Sequence, residues 1–283
     1  AMSVAITIYS NLDITMLGFM RDNTEVGYYD VAIKIKVILV NIVTSLGAVL
    51  LPRTSYYVEM KMEREFRTVS GKALEFVAVL SIPLTVSFTI MAKQCILLLS
   101  GNAYLPSVIP MCIIMPTLIL IGASNVFGVQ MLVPLGKETI VLYSECAGAV
   151  ADIILNAVFI PRYGASGAAF GTLVAEAVVL VVQAAALKNM AWEIIKKVEV
   201  WKILPAAALS GAAMIFIKNK LNMPVFPVLV ICFSVFFSIY GILLLGMKER
   251  ILMELLRTAA KRLKQRSERN NGSSTAKCIT AAG

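Results

Sequence analysis

The sequence predicts an all-α membrane protein, a polytopic helix bundle of about eight transmembrane helices. Hydrophobic residues make up 59% of the chain, charged residues only 15%, and the mean hydropathy is +0.82. Soluble domains contain about 45–50% apolar and about 25% charged residues. A chain this apolar and this poor in charge is typical of a protein that lies mostly in a lipid bilayer.

Eight segments are apolar enough to cross a bilayer, which requires about 20 mostly apolar residues for each helix. They are 2–20, 27–52, 71–92, 107–133, 139–160, 165–187, 201–217 and 225–247. Pro116 lies inside the fourth segment, where it can kink the helix because proline removes a backbone donor.

Lysine and arginine are distributed unequally between the two sides of this predicted bundle. One side carries 19 of them and the other carries 5, while Lys34 and Lys36 lie inside a predicted span. Cytoplasmic loops of membrane proteins are enriched in these residues. The asymmetry therefore predicts a multi-pass protein of the cytoplasmic membrane with the 53–70 loop and both ends of the chain in the cytoplasm.

Several kinds of chemistry are disfavoured by the residue content. The chain has no histidine, and its five cysteines are scattered without a CxxC pair. Histidine is the commonest metal ligand and proton shuttle, and paired cysteines mark metal or redox sites. The sequence predicts free thiols, no catalytic site and no metal site.

The basic segment 248–283 predicts an amphipathic helix at the membrane surface and a disordered tail, with no nucleic-acid partner.

Polar residues form stripes on three of the predicted membrane helices. The stripes are Ser3, Thr7, Ser10 and Asp13 on the first span, Glu145, Gly148, Asp152 and Asn156 on the fifth, and Thr172, Glu176 and Gln183 on the sixth. Exposing all of their charges to lipid costs roughly 10 kcal/mol. Packed polar contacts between helices or a shared aqueous lumen both relieve that cost, and the number of stripes favours the lumen. Glu145, Asp152, Asn156 and Glu176 are therefore candidates for ion coupling or for the lumen wall.

Small residues cluster where the fifth and sixth spans meet. Gly164, Gly167 and Gly171 fall within eight residues, and the last two have the small-xxx-small spacing that lets helix backbones approach closely. These three glycines are predicted to be helix-packing positions.

Five strings of the sequence resemble, in order and spacing, those of Wzx-type oligosaccharide flippases. The strings are "LDITMLG", "EVGYYDVAIKI", "LGAVLLPRTSYY", "LVPLGKE" and "NAVFIPRYGASGAAFGTLVAE". These flippases are polysaccharide export proteins of the multidrug/oligosaccharidyl-lipid/polysaccharide exporter superfamily. The resemblance covers about residues 1 to 190, and the last two spans match only in type.

The resemblance implies an architecture, because such proteins have twelve to fourteen spans in two six-helix lobes around a central cavity. On this basis 1–190 is expected to be the second lobe, starting at the seventh span. Segment 191–247 is expected to add two transmembrane helices, and 248–283 is the cytoplasmic tail. The first lobe is not in this sequence, so it is an expected partner.

The resemblance also implies a function, the transfer of an undecaprenyl-diphosphate-linked oligosaccharide across the cytoplasmic membrane for capsule, exopolysaccharide or O-antigen synthesis. The expected partners are that lipid-linked substrate, membrane lipid and the polysaccharide polymerase machinery. No cofactor is expected apart from a coupling proton or sodium ion. The residues assigned to the substrate or lumen are Lys34, Asp13, Ser10, Asn11 and Asp30. Lys34 matches a lumen lysine of the family, whereas Lys36 is expected to extend toward lipid headgroups or a neighbouring helix.

Three other interpretations remain open at this stage. A drug/cation antiporter of the same superfamily would use the acidic residues Asp13, Glu145, Asp152 and Glu176 to bind a cation. A membrane glycosyltransferase or polymerase would need a large outer loop, and every predicted outer loop is short. A non-transporting truncated remnant is also compatible with a sequence that lacks the first lobe.

Overall fold

A computed structural model describes residues 12–221, 223–250 and 253, and these form a bundle of helices. The α-helices are α1 (12–20), α2 (Asn23–Glu59), α3 (Glu63–Ile90), α4 (Ala92–Ser100), α5 (Val108–Ile114), α6 (Thr117–Asn125), α7 (Glu138–Tyr163), α8 (Ala165–Leu187), α9 (Asn189–Lys197), α10 (Val200–Lys220) and α11 (Val225–Gly246). A 3-10 segment (Asn102–Ser107) precedes α5, and a π-helical segment (Val126–Leu132) follows α6. The predicted all-α fold is confirmed for the described residues.

Seven segments of this bundle have the length and apolar composition of membrane spans. Five are single helices, namely α3, α7, α8, α10 and α11. The other two are bent pairs, Asn23–Ser45 with Leu50–Glu59 and Asn102–Ile114 with Thr117–Leu132, bent by 43° and 44°. All seven coincide with predicted spans, and the eighth prediction, 2–20, is described only from residue 12. The protein is therefore a multi-pass membrane protein.

The bends have identifiable causes in the sequence. Pro116 lies in the break between α5 and α6, as expected from its missing N–H. Pro52 lies just after the bend of α2 and removes a bond to the carbonyl four residues before it. The π-helical segment Val126–Leu132 directly follows α6. At its end the backbone N–H of Val133 donates to the carbonyl of Gly128 at 3.0 Å, one residue further back than in an α-helix.

Hydrogen bonds tie the start of α2 to the corner between α7 and α8. The Asp22 side chain caps α2 by accepting from the backbone N–H of Glu25 at 2.9 Å. The Glu25 carboxylate in turn accepts from the backbone N–H of Ala165 at 2.7 Å, and Arg21 donates to the carbonyl of Ile160 at 3.2 Å. This network fixes the α1–α2 corner against the α7–α8 corner, which positions the polar groups of all four helices.

The α7–α8 hairpin depends on its glycines. Gly164 makes the turn with φ +53°, a left-handed conformation that favours glycine. A Cβ on Gly167 would lie 2.6 Å from backbone atoms of Phe159, and one on Gly171 would overlap the side chain of Asn156. The two helices therefore touch at backbone level along this stretch.

The last two spans pack together and against α3. Tyr240 of α11 donates to the carbonyl of Val79 at 2.9 Å, and Lys218 of α10 donates to the carbonyl of Ile90 at 2.9 Å. The rings of Phe88 and Phe233 lie 4.8 Å apart between α3 and α11. The α10–α11 pair is thus joined to the preceding helices by both polar and aromatic contacts.

Two short helices, α4 and α9, fall in segments where the sequence analysis predicted none. Each has 9 residues, which is too short for a search based on spans of about 20 residues. In α9 the Lys196 ammonium lies 5.1 Å from the ring centre of the exposed Trp192. Arg67 of α3 forms an ion pair with Glu193 of the same helix α9. An amphipathic helix with exposed Trp and Lys is suited to the membrane interface.

Some predicted features lie outside the described residues. They are the polar positions Ser3, Thr7, Ser10 and Asn11, and nearly all of the basic segment 248–283.

Replacing Gly167 with alanine is expected to destabilise the hairpin, because the new Cβ would overlap the backbone of α7 at Phe159. The expected cost is about 1–3 kcal/mol, seen as a lower midpoint of thermal unfolding of the purified protein. Gly241→Ala in α11 is the matched control, since no atom lies within 4 Å of the position its Cβ would take. A midpoint for Gly167→Ala equal to or above that of Gly241→Ala would contradict this packing.

Candidate ion and substrate site

A buried polar cluster lies where α1, α2, α7 and α8 meet. Every member is at most 5% exposed. The cluster consists of Asp13, Tyr29, Asp152, Asn156 and Thr172. Each of these side chains belongs to α1, α2, α7 or α8. The hydrogen bonds between the α1–α2 and α7–α8 corners hold these four helices in place.

Asp13 is the centre of the hydrogen bonding. Its Oδ2 accepts from the Tyr29 hydroxyl at 2.6 Å and from the Thr172 hydroxyl at 2.8 Å. Its Oδ1 accepts from the Asn156 amide at 2.7 Å, and the same amide lies 3.1 Å from Oδ2 of Asp152. Asp13 therefore connects α1 to each of the other three helices.

The second carboxyl group, Asp152, shares with Asp13 the Asn156 amide as a hydrogen-bond donor, so the two carboxyl groups lie close together. Two buried carboxylates this close cannot both remain charged unless a proton or a cation lies between them. Among the described residues, Asp152 Oδ1 and Asn156 Oδ1 have no hydrogen-bond partner. Carboxylate, amide and hydroxyl oxygens are the donors that hard cations prefer. The cluster thus has the chemistry to hold a proton or a small hard cation.

A polar cavity of about 480 Å³ lies beside this cluster, between α2, α6, α7 and α8. Its polar lining consists of Lys36, Asn41, Thr44, Ser124, Asn125, Glu145, Glu176 and Gln183. Lys36 interacts electrostatically with Asp152 and Glu176. The cavity therefore combines one cation with carboxylates and neutral hydrogen-bonding groups, next to the buried carboxyl pair.

The two lysines of α2 lie in different environments. Lys36 lines the polar cavity, whereas the exposed Lys34 pairs with Asp30 at 2.6 Å, one turn earlier on the same helix. The expected separation of the two side chains around the helix is correct, since they lie on different faces. Lys36 meets the neighbouring helices α7 and α8, which is one of the two positions expected for it, and the lumen role of Lys34 remains a prediction.

The other predicted site residues fall into two groups. Asp152 and Asn156 join the buried cluster around Asp13, and Glu145 and Glu176 line the cavity beside it. The sequence analysis missed Tyr29. It lies 16 residues from Asp13 in the chain and has no local signal that distinguishes it from a core tyrosine.

An apolar groove of about 470 Å³ lies on the other side of α2. It is formed by α2, α3, α4 and α11, and its lining is Ile35, Ile38, Leu39, Phe88, Cys95, Leu98, Leu99, Phe226, Leu229, Val230, Phe233 and Ser234. A groove lined almost entirely by hydrocarbon side chains suits an acyl or polyprenyl chain.

Two comparisons with known proteins bear on this arrangement. Residues 1–109 match the sequence profile of a family described as "Polysaccharide biosynthesis protein". The fold matches the solved structure of the lipid II flippase MurJ in an inward closed conformation, with a TM-score of 0.74 and 16% sequence identity. The match covers 86% of this chain and 51% of that one, so the chain spans about half the length of the solved flippase. No curated protein sequence matches the chain.

Both matches agree with the resemblance predicted from the sequence: residues 1–109 are similar to a polysaccharide biosynthesis family, and the fold is similar to that of a solved lipid flippase. The chain shares the fold of about half of that solved structure. At this low identity, the match to the solved structure concerns the fold alone.

Exchanging the two aspartates for asparagine is expected to have different effects on the stability of this helix bundle. Asp13→Asn places an amide donor against the three donors that Asp13 accepts from, which costs about 1–3 kcal/mol. In Asp152, Oδ1 has no hydrogen-bond partner among the described residues. Asp152→Asn replaces this carboxyl group by an amide that can donate a hydrogen bond to Asp13. The midpoint of thermal unfolding, measured for both purified variants in one lipid nanodisc preparation, should fall for Asp13→Asn and stay level or rise for Asp152→Asn. The opposite order would contradict the assignment of Asp13 as the central acceptor.

Proposed function

We propose that the chain forms one wall of a flippase that moves an undecaprenyl-diphosphate-linked oligosaccharide across the bacterial cytoplasmic membrane, driven by a proton or sodium ion. The observation that carries the proposal is the buried carboxyl pair Asp13–Asp152, which joins four helices in a fold shared with a solved lipid flippase. The match of residues 1–109 to a polysaccharide biosynthesis family supports a saccharide-bearing substrate.

The surfaces on either side of α2 fit the two parts of such a substrate. A sugar diphosphate headgroup cannot cross hydrocarbon unaided, because its charges and hydroxyls would lose their hydrogen bonds to water. Exposed Lys34 offers a cation toward the headgroup, and the apolar groove offers a path for the polyprenyl chain. The headgroup would then move through a polar space while the lipid tail stays in an apolar one.

The carboxyl pair supplies a mechanism for coupling. A cation or proton between Asp13 and Asp152 would relieve their repulsion and draw α1 toward α7 and α8. Its loss would favour an arrangement in which these helices separate. An ion that binds one arrangement better than the other shifts the equilibrium between them, so an ion gradient can drive the alternation of the cavity.

Transport is expected to depend on the carboxyl pair. In a bacterial strain without its own flippase, the chain would be expressed with the N-terminal half of a related exporter, and exported polysaccharide would be measured at matched protein levels. Asp152→Asn should reduce export to background, because the site no longer exchanges a cation. Glu138→Gln is the control, an exposed acid on the same helix. Export by Asp152→Asn at the level of Glu138→Gln would contradict ion coupling at this site.

The same strain distinguishes the drug/cation antiporter, which the acidic residues of the cavity would also suit. Efflux of the cationic dye ethidium is expected to be equal with and without the chain. Efflux that depends on Glu145 or Glu176, without polysaccharide export, would favour the antiporter instead.

The two lysines of α2 are expected to affect different steps. Lys34→Ala should lower export, since it removes a cation from the headgroup path, without changing the ion concentration that gives half-maximal export. Lys34→Arg should retain part of the activity. Lys36→Met should lower that ion concentration by about tenfold, since it removes a positive charge that competes with the ion for Asp152 and Glu176.

Export and its dependence on ion concentration, measured in the same strain, separate these two effects. Full export by Lys34→Ala, or an unchanged half-maximal concentration for Lys36→Met, would contradict the respective assignment.

A further inference from the structure

A basic pocket of about 190 Å³ lies where the first turns of α3, the end of α9 and the chain after α11 meet. It shares no lining residue with the polar cavity. Its lining consists of Arg67, Thr68, Gly71, Lys72, Glu75, Lys197 and Arg250. Among these described residues Glu75 is the only acid, and it is 6% exposed, whereas the two lysines and Arg250 are exposed. The cations therefore lie at the opening of the pocket and the acid at its closed end.

Arg67 is held in place by acids whose charge water screens. It pairs with Glu63 and Glu193, whose side chains are 66% and 53% exposed, and exposed ion pairs contribute little. The bonds to these two glutamates use three of the five N–H groups of the guanidinium. Guanidinium groups bind phosphate with parallel N–H bonds. Arg67 can therefore donate to a phosphate group while it keeps both present partners.

The other basic residues of the opening are only partly compensated by acids. Arg250 contacts Glu199 at 3.3 Å, but that carboxylate also pairs with Lys202 at 2.6 Å, so two cations share one acid. Lys197 has no ion pair among the described residues. Lys72 already interacts with another group of the chain, so the charge available to a ligand comes from the other three basic residues. This charge suits an anion.

The pocket lies at the ends of membrane-spanning helices. It is formed near the start of α3 and just after the end of α11, and both helices have the length and composition of spans. Trp192, five residues before Lys197, and Trp201, four residues after it, are both exposed, and tryptophan is enriched where lipid meets water. On α11 the exposed Leu245, five residues before Arg250, provides apolar surface for an acyl chain. A phosphate in the pocket is thus at the depth at which lipid headgroups lie.

We propose that this pocket binds the phosphate of an anionic phospholipid, held by Arg67, Lys197 and Arg250. Basic pockets between membrane helices bind such headgroups. The three residues belong to α3, to α9 and to the chain after α11, so the bound lipid joins three parts of the fold. A headgroup with net negative charge is favoured over a zwitterionic one, because the cation of the latter would meet the same basic residues. The site does not depend on the proposed transport function.

Retention of phosphatidylglycerol by the purified full chain tests this site. Native mass spectrometry of the protein in detergent should show one tightly retained phosphatidylglycerol per chain and several-fold lower retention of phosphatidylcholine. Lys197→Gln should weaken retention about fivefold, since it removes one basic residue from the headgroup. Lys196→Gln is the matched control, because Lys196 is an exposed lysine on the same helix that lies over Trp192 and does not line the pocket. It should retain the lipid like the unmodified protein.

A second pair of variants tests the shape of the pocket without changing its charge. A Cβ on Gly71 would meet no atom within 4 Å, so Gly71→Leu places its side chain in the open space of the pocket. It should lower retention of phosphatidylglycerol at least as much as Lys197→Gln does. Gly241→Leu in α11 is the control, because its Cβ position is equally open and it does not line the pocket. It should leave retention unchanged.

Four results would overturn the proposal. Equal losses in Lys196→Gln and Lys197→Gln would indicate a diffuse attraction between lipid and a basic surface. Retention unaffected by both Lys197→Gln and Gly71→Leu would place the lipid elsewhere on the protein. Equal retention of phosphatidylcholine would show that the net charge of the headgroup is not recognised. Displacement of phosphatidylglycerol by an equal concentration of inorganic phosphate would assign the pocket to a soluble phosphate instead.

Discussion

The cost of burying two carboxyl groups inside a lipid-surrounded bundle constrains the centre of this structure. Asp13 and Asp152 accept from the same Asn156 amide and are both buried, so no bulk water screens their charges. Hydroxyls from α2 and α8 and an amide from α7 satisfy Asp13, which leaves the second carboxyl to be compensated by a proton or a cation. The relative positions of four helices therefore depend on the hydrogen bonds of this cluster. A conformational change that moves any one of them must break or exchange these bonds.

Helix α2 separates two environments with opposite chemistry. Lys36 and Asn41 face the polar cavity, whereas Ile35, Ile38 and Leu39 face the apolar groove on the opposite side of the same helix. A lipid-linked saccharide has the same division, with a charged, hydroxylated headgroup and a hydrocarbon tail. The bend of 43° near Pro52 lies further along this helix, at a point where a change of angle would alter both surfaces together.

Close backbone packing makes the buried polar cluster possible. The α7–α8 hairpin brings Asn156 within bonding distance of Asp13 because Gly171 leaves space for the amide. Association of helices in lipid relies on such close contacts, since lipid tails are as apolar as leucine. The fold is shared with a solved flippase at only 16% identity, so it does not require most of the particular side chains found in either chain.

The sequence by itself determined the class of protein, the positions of the spans and the acidic residues of the polar stripes. These follow from local quantities, namely the length of apolar runs and the spacing of residues along a helix. Only the tertiary structure decided which of these residues meet. Tyr29 and Thr172 complete the site of Asp13 from 16 and 159 residues away, and Lys36 rather than Lys34 lines the cavity. Arg67, Lys197 and Arg250 likewise line one pocket only when α3, α9 and the end of α11 are packed. Helical periodicity gives the angle between two side chains on one helix, but the rotation of that helix against its neighbours depends on packing contacts far apart in the chain.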